Sequence, residues 1–335
     1  MSAGMITDVA GVLVGHHQRI GDGWATGATV VLAPPGTTGA VDQRGGAPGT
    51  RETNLLEPEN LVRHVDAICL SGGSAYGLAA ADGVMRWLAE RERGFRIGAQ
   101  PHQVVPIVPG AVIFDLPRSA WGNRPDSGFG YAACDAAGAE VEQGSVGAGA
   151  GAVVGSLKGG VGSASERVGE FVVGALAVVN ARGEAVSFDT GRPFAADHEV
   201  DGEFGVRWPD RAGAAPGRET DLNTTIGVVA VDAALSKAEC RRLAVAAQDG
   251  LARAVRPAHS MFDGDTVFAL ATGAGELPAV AGPFTVTTRA AALDELCAAA
   301  ARVFARACVH GLLRAEGVAG VPAYRNVWPE AFGAG

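Results

Sequence analysis

Paired cysteines and blocks of basic residues are missing from this 335-residue chain. The five cysteines, Cys69, Cys134, Cys240, Cys297 and Cys308, are odd in number, widely spread and never in C-x-x-C spacing. That argues against a disulfide framework or a zinc site and for reduced thiols in the cytoplasm. The formal charge is −9, with no lysine/arginine cluster to override it, so the electrostatic footprint of a nucleic-acid binder is absent. The long uncharged run 97–114 carries three prolines, a histidine and two glutamines, which excludes it as a membrane span. The opening MSAGMITDVAGVLVGHH has no basic n-region, and Asp8 breaks its apolar stretch, so it reads poorly as a signal peptide.

What is present is core-forming. Hydrophobic residues make up 47% and charged residues 19%, ample for a sizeable core and unlike a disordered chain. The 49 glycines are about twice the ordinary share. They follow no G-X-Y period, so they imply tight turns rather than collagen. No internal repeat is visible.

Three stretches read as helices. Residues 75–93 carry Leu78, Met85 and Leu88 along one stripe. Residues 236–255 open on Ser236 and Glu239 in capping-box spacing, followed by Leu243, Ala247, Leu251 and Val255 on one face. Residues 290–315 have an apolar side broad enough to be largely buried. Between them the signals are β: 171–188 as strand, turn at 180–183 and strand, then TTIGVVAVD, DTVFALAT (265–272) and FTVTT (284–288). Few of these alternate strictly, so both sheet faces are expected to be covered, with parallel or antiparallel pairing left open. Residues 189–222 are rich in Pro, Gly and charge and read as a long exposed loop.

Several motifs compete with plainer readings. GAGAGAVVG (147–155) begins like a dinucleotide fingerprint, but the adjoining GSLKGGVGSAS is too glycine-rich for the required helix; a loop lying close to another strand or ligand fits better. SGGSAYG (71–77) misses the nucleophile-elbow spacing by one residue and reads as a glycine turn into a helix capped by Ser71 or Ser74. Tyr76 lies in that first turn, and a core position would oblige its hydroxyl to find a partner. HSMFDGDT (259–266) sets Asp263 and Asp265 two apart. A D-G turn is the plain reading, a metal pair a weak one with no third ligand, and two carboxylates facing one pocket would favour a cation or shared proton. Lys158 is the lone charge in a Gly/Ala/Ser/Val surround: a solvated loop lysine by default, a functional charge by its isolation. Asn180 closes a strand, as turn asparagines do. Asn223-Thr224 stands where the loop becomes an apolar strand. It marks either a strand start or a cut that makes Thr224 an N-terminus.

Taken in order, SGGSAYGL, GSVGAGAGAVVGSLKGGVGSAS, VGALAVVNARG, LNTTIGVVAVD and FDGDTVFALATG resemble the self-processing aminopeptidase family. That family includes the L-aminopeptidase/D-Ala-esterase/amidases, β-peptidyl aminopeptidases and nylon-oligomer hydrolases. The resemblance runs over nearly the whole chain. It implies a four-layer αββα sandwich like that of the N-terminal-nucleophile hydrolases, one domain over 1–335 cut between Asn223 and Thr224 into an α chain (1–223) and a β chain (224–335). It also implies Thr224 as nucleophile, Tyr76, Lys158 and Asn180 around the active site, and Asp263 with Asp265 as the pair of the nylon-oligomer-hydrolase branch. Aminopeptidase members instead carry Ser as nucleophile, and Ser and Glu at the two aspartate positions.

The chemistry accounts for the pair 223–224. A threonine hydroxyl is a feeble nucleophile until a base lies beside it, and the α-amino group of the same residue supplies one. Its reference pKa of about 7.7–8.0 suits general-base work. On this reading Tyr76 and Asn180 would donate to the oxyanion, a contribution of roughly 3–4 kcal/mol per well-placed donor, while the aspartates would orient the amine or receive a substrate ammonium. The expected protein is therefore a cytoplasmic amide hydrolase acting on small peptides or amides, with no metal or other cofactor, no nucleic-acid or membrane partner, and by resemblance a homo-oligomer, a tetramer of processed αβ units. The rivals are an ornithine-acetyltransferase-like N-acyltransferase, whose glycine-methionine motif is not seen here, and a non-catalytic binding protein of the same fold.

Overall fold

The apolar, β-branched runs form the middle of the molecule. The computed structural model describes residues 4–209, 211–217, 222–278 and 285–333. The first half supplies β1 (Leu13–Gly21), β2 (Trp24–Leu32), β3 (Thr38–Gln43), β4 (Thr50–Arg51) and β5 (Ala67–Ser71), then the short pair β6 (Phe95–Arg96) and β7 (Val104–Val105), and β8 (Gly110–Val112). The second half supplies the small hairpin β9 (Val153–Val154) and β10 (Leu157–Lys158), then β11 (Val161–Val168), β12 (Phe171–Val178), β13 (Ile226–Ala234) and β14 (Thr266–Glu276). One five-stranded sheet runs β1-β2-β5-β8-β4 and the other β11-β12-β13-β14-β3. Within these two sheets, β5/β8 and β13/β14 pair in parallel and the other neighbours antiparallel.

The sheets stack face to face. Val31, Ile68 and Leu70 from the first pack with Leu176, Val178, Ile226, Val228, Phe268 and Leu270 from the second. The intervening residues Val229, Val231, Val267 and Ala269 turn to the other side, as the two-residue period of a strand requires. There, α3 (Lys237–Ala254) and α4 (Thr285–Leu313) cover them with Leu243, Leu251, Val303, Phe304 and Leu312. On the opposite outer face, α1 (Ala80–Ala89) and α2 (Ser127–Asp135) cover Val30 and Cys69 with Val84, Leu88 and Phe129. This is the expected four-layer αββα sandwich, and burial on both faces explains the near-continuous apolar strands. Helix α3 starts at its capping box, Ser236 accepting from the Glu239 amide. The stretch Thr288–Leu313 of α4 is apolar enough to cross a membrane, but 83% of its most apolar window is buried inside the fold.

Four expectations change. Residues Ser74–Ala79 form a 3-10 turn before α1, and its cap is Gly73 with no side-chain bond, so neither Ser71 nor Ser74 caps it. The second arm of the hairpin expected at 171–188 is reduced to single bridges, Glu184 to Arg256 and Val186 to Pro193. Residues 285–288 of FTVTT open α4 instead of forming a strand, the long Ala/Leu pattern of the rest of that helix overriding threonine's β preference; Phe284 lies outside the described residues. The 189–222 segment is tied down over much of its length. Phe204 is buried, and Glu203 forms a buried pair with Arg306 at 2.5 and 2.7 Å and meets His310 Nε2 at 3.2 Å. Residues 210 and 218–221 of that segment lie outside the described residues.

Candidate active site

Because β13 and β14 are parallel neighbours with Ile226 opposite Thr266, the turn that feeds β14 lies beside the start of β13. Asn223 and Thr224 occupy that start, both buried. The Thr224 hydroxyl lies 2.5 Å from the Asn223 carbonyl oxygen and accepts from the Gly264 amide at 3.1 Å. The Asn223 amide donates to the Phe262 carbonyl at 3.2 Å. The Thr225 amide donates to Asp265 Oδ1 at 2.9 Å, and its hydroxyl donates to the Asn180 carbonyl at 3.1 Å.

The two aspartates face inward, each only 1% exposed. Asp263 accepts from the amides of Arg182 and Ser260, both at 3.0 Å, and from the Ser260 hydroxyl. Asp265 Oδ2 accepts from the His259 amide at 3.1 Å and meets His259 Nδ1 at 2.8 Å. Burial raises the Asp265 carboxyl above the usual carboxylate range; the His259 bond opposes this and the nearby Asp263 charge adds to it. The turn is clasped from outside by residues 44–47. Arg44 and Ala47 donate their amides to the carbonyls of Asp265 and Asp263 at 2.8 and 2.9 Å. A Cβ on Gly45, whose φ is +82°, would lie 2.3 Å from the Asp263 carbonyl oxygen, so glycine is required there.

Thr224, Asn223, Asn180, Asp263 and Asp265 are thus brought together. The DGD turn reaches Thr224 through the Gly264 amide, while the Asp265 carboxylate holds the amide of the next residue. The Asn180 side chain is buried in the same cluster, Nδ2 3.5 Å from the Thr224 carbonyl and Oδ1 accepting from Val153 at 2.9 Å. Lys158 stands behind this layer. It pairs with Val153 across the β9/β10 hairpin, and its ammonium donates to the carbonyls of Gly149 and Gly159, both at 2.7 Å. It is a buried lysine and not a solvated one, and burial pushes its pKa down to about 7. Tyr76 is 51% exposed, stacked with the Arg124 guanidinium at 3.7 Å, two residues from the site wall at Ser74.

Two residues passed over in the sequence belong to this framework. His259, held at φ +57°, fixes Asp265; the signal was its place at the head of HSMFDGDT. Asp115 is buried below the Gly72-Gly73 turn, accepting from Gly73 at 2.6 Å and from the Thr26 hydroxyl at 2.7 Å. Burial pushes it up to about 6, with Lys158 among the groups that oppose the shift. No sequence pattern marked it.

A cleft of about 190 Å³ opens beside the pair, lined by Ala47, Gly49, Ser74, Val112, Ile113, Phe114, Leu222, Asn223, Thr224 and Phe262. Among the described residues no group of three or more His, Cys, Asp or Glu side chains is arranged to hold a metal ion.

This geometry accords with the chain's likeness to known proteins. Residues 4–325 match Peptidase family S58, and the chain belongs to that family. It is 57% identical over 345 aligned residues to an uncharacterized aminopeptidase of Mycobacterium tuberculosis (strain H37Rv), covering 98% of this chain and 99% of that protein. It is 33% identical over 290 residues to a 6-aminohexanoate-oligomer endohydrolase of Kocuria sp. (strain KY2), covering 82% and 77%. Among solved structures, a β-aminopeptidase from Burkholderia sp. superposes with a TM-score of 0.70 at 23% identity, covering 97% and 92%. The L-aminopeptidase D-Ala-esterase/amidase of Ochrobactrum anthropi, described as a variant of the Ntn-hydrolase fold, gives 0.71 at 22% identity, covering 96% and 89%. The fold is that of the Ntn-hydrolase aminopeptidases, and the protein is a peptide- or amide-bond hydrolase.

Proposed function

We propose that this S58 member is an autoprocessed N-terminal-threonine amidohydrolase that cuts itself between Asn223 and Thr224 and then uses Thr224 as its nucleophile. The observation that carries the reading is the 2.5 Å approach of the Thr224 hydroxyl to the Asn223 carbonyl, at a buried turn braced by Gly264, Asp265 and Asn180. In the cut, the Thr224 oxygen bonds to the Asn223 carbonyl carbon and the C–N bond breaks, with the hydroxyl proton passing to the Thr224 nitrogen. Water then hydrolyses the ester, leaving an Asn223 carboxylate and a threonine whose hydroxyl and amine share one residue. In turnover that amine takes the hydroxyl proton as Thr224 attacks a substrate amide and returns it to the leaving amine, and water then cleaves the acyl ester to free the acid and restore the hydroxyl. Asp265 and Asn180 hold the residue through its neighbouring amide and its own carbonyl. The aminopeptidase and oligomer-hydrolase relatives support peptides or short amide oligomers as substrates.

The free cysteines support a reducing, cytoplasmic setting. The family resemblance supports an oligomer of processed units, which light scattering would size. Intact-protein mass spectrometry tests the central claim: two fragments, 1–223 and 224–335, are expected, and N-terminal sequencing of the second should read Thr-Thr-Ile-Gly. A full-length mass after long incubation overturns the reading.

A further inference from the structure

The cut and the turnover share one nucleophile, so the carbonyl attacked in each must occupy one place. The residue that carries that carbonyl in the precursor therefore shows where a substrate's acyl residue sits. We infer that the acyl residue of the substrate takes the position of Asn223, with its N–H or ammonium on the Phe262 carbonyl and its side chain in the adjoining cleft, and that this cleft selects neutral aliphatic side chains. The inference rests on the function proposed above and adds the substrate class.

Three observations support it. The Asn223 amide already donates to the Phe262 carbonyl at 3.2 Å, a bond that any acyl residue bearing an N–H reproduces. The cleft walls are Ala47, Val112, Ile113, Phe114 and Phe262, and among the described residues lining it no side chain is ionisable; the Arg182 guanidinium is stacked on the Phe262 ring, 4.8 Å from its centroid. A charged side chain lying against these apolar walls would lose hydration that they do not replace. Among the described residues the side-chain Oδ1 of Asn223 is buried without a hydrogen-bond partner, so an aliphatic group at this position would leave no acceptor unpaired. The cleft is about 190 Å³, well above the roughly 10–15 Å³ that one water needs by the same measure, so a side chain of leucine or methionine size has room.

The test uses the processed enzyme and a panel of aminoacyl p-nitroanilides, each with a free and an N-acetylated amine, with Ala, Val, Leu, Met, Asp, Glu, Lys and Arg as the acyl residue. Leu and Met should exceed Asp, Glu, Lys and Arg in kcat/KM by about tenfold or more. Phe262→Glu sets a carboxylate on the half-exposed wall and should raise the Lys/Leu ratio by about tenfold. Phe262→Lys should raise Asp/Leu instead. If the protein cuts itself and hydrolyses the panel but charged residues match leucine, the acyl-site inference fails alone. A cut protein that hydrolyses none of the panel overturns the inference as well. If it neither cuts nor hydrolyses, the proposed function fails with it. The wild-type panel decides the matter even where a variant misfolds.

Discussion

The Thr224 hydroxyl donates to the carbonyl oxygen of Asn223 at 2.5 Å, on the peptide bond that joins the two residues. Candidate nucleophile and candidate scissile bond are thus paired inside the fold, before any substrate enters. Thr224→Ala should therefore block both the cut and the hydrolysis, leaving one full-length band on a denaturing gel. Thr225→Ala loses a hydrogen bond to the Asn180 carbonyl, a stability cost of about 1 kcal/mol, and should still be cut. Normal processing of Thr224→Ala would point to an outside protease.

Asp265→Asn replaces an oxygen that two donors share. The Thr225 amide keeps its acceptor, and His259 Nδ1 adapts by changing tautomer, but the His259 backbone amide then faces an NH₂ group. A stranded buried donor costs about 1–3 kcal/mol. The variant should lose that much stability in urea unfolding and lose turnover out of proportion to it. Equal and full activity of Asp263→Asn and Asp265→Asn on every amide tested would reduce the pair to a turn.

His259 acts through Asp265, and the substitutions separate its geometry from its bulk. Asparagine places an N–H near Nδ1 and tolerates the positive φ, whereas glutamine carries its amide farther out. His259→Asn should keep most of kcat, and His259→Gln and His259→Ala should lower kcat with little change in KM. The reverse order would sink the assignment.

Lys158 gives a pH signature. Its pKa falls from 10.5 in the unfolded chain to about 7 in the fold. Between those values the unfolded chain binds a proton that the native protein does not, so stability rises with pH across about 7 to 10.5. Lys158→Met should start from a lower stability, having lost two hydrogen bonds, but should lack that rise. Parallel slopes for the two proteins in unfolding curves from pH 7 to 10 would contradict a buried, depressed lysine.

The Glu203–Arg306–His310 cluster joins the segment before the proposed cut to α4 after it. Paired bonding from Arg306 and the His310 contact hold the Glu203 carboxyl down to about 2 even though burial opposes this. The two pieces should stay together on gel filtration after cutting. Arg306→Ala leaves the buried Glu203 carboxylate without its arginine and with only the His310 contact, at a cost of about 3–5 kcal/mol, and should lower the midpoint of unfolding sharply. Unchanged stability would show that the pair is dispensable.

Local patterns were the legible part. The Ser236 cap, the stripe of α3 and the strand at 226–234 arise from neighbours a few residues apart. What escaped depended on distant partners. Glu203 looks like a loop residue because its composition is that of a loop, and only Arg306, far along the chain, makes it core. Asn180, Asp263, Asp265 and Thr224 could be grouped by resemblance. Their division of labour, with Asp265 on the Thr225 amide and Asn180 on the Thr224 carbonyl, depends on the parallel register of β13 and β14, which one sequence does not specify. Asp115 and His259 do their work through burial and an unusual backbone angle, neither of which has a sequence period.

The order of the second sheet, β11-β12-β13-β14-β3, bears on how such a protein is made. Strands β13 and β14 belong to the piece after Thr224, yet β12 flanks them on one side and β3 on the other, both from the piece before it. The later piece alone would expose two unpaired edges and an unroofed helical layer, the combination that drives aggregation. On the proposed cut, synthesis as one continuous polypeptide would spare the later piece that exposure. A gene split at codon 224 should therefore yield a later half that aggregates, whereas the same break introduced after folding would leave the sheet whole.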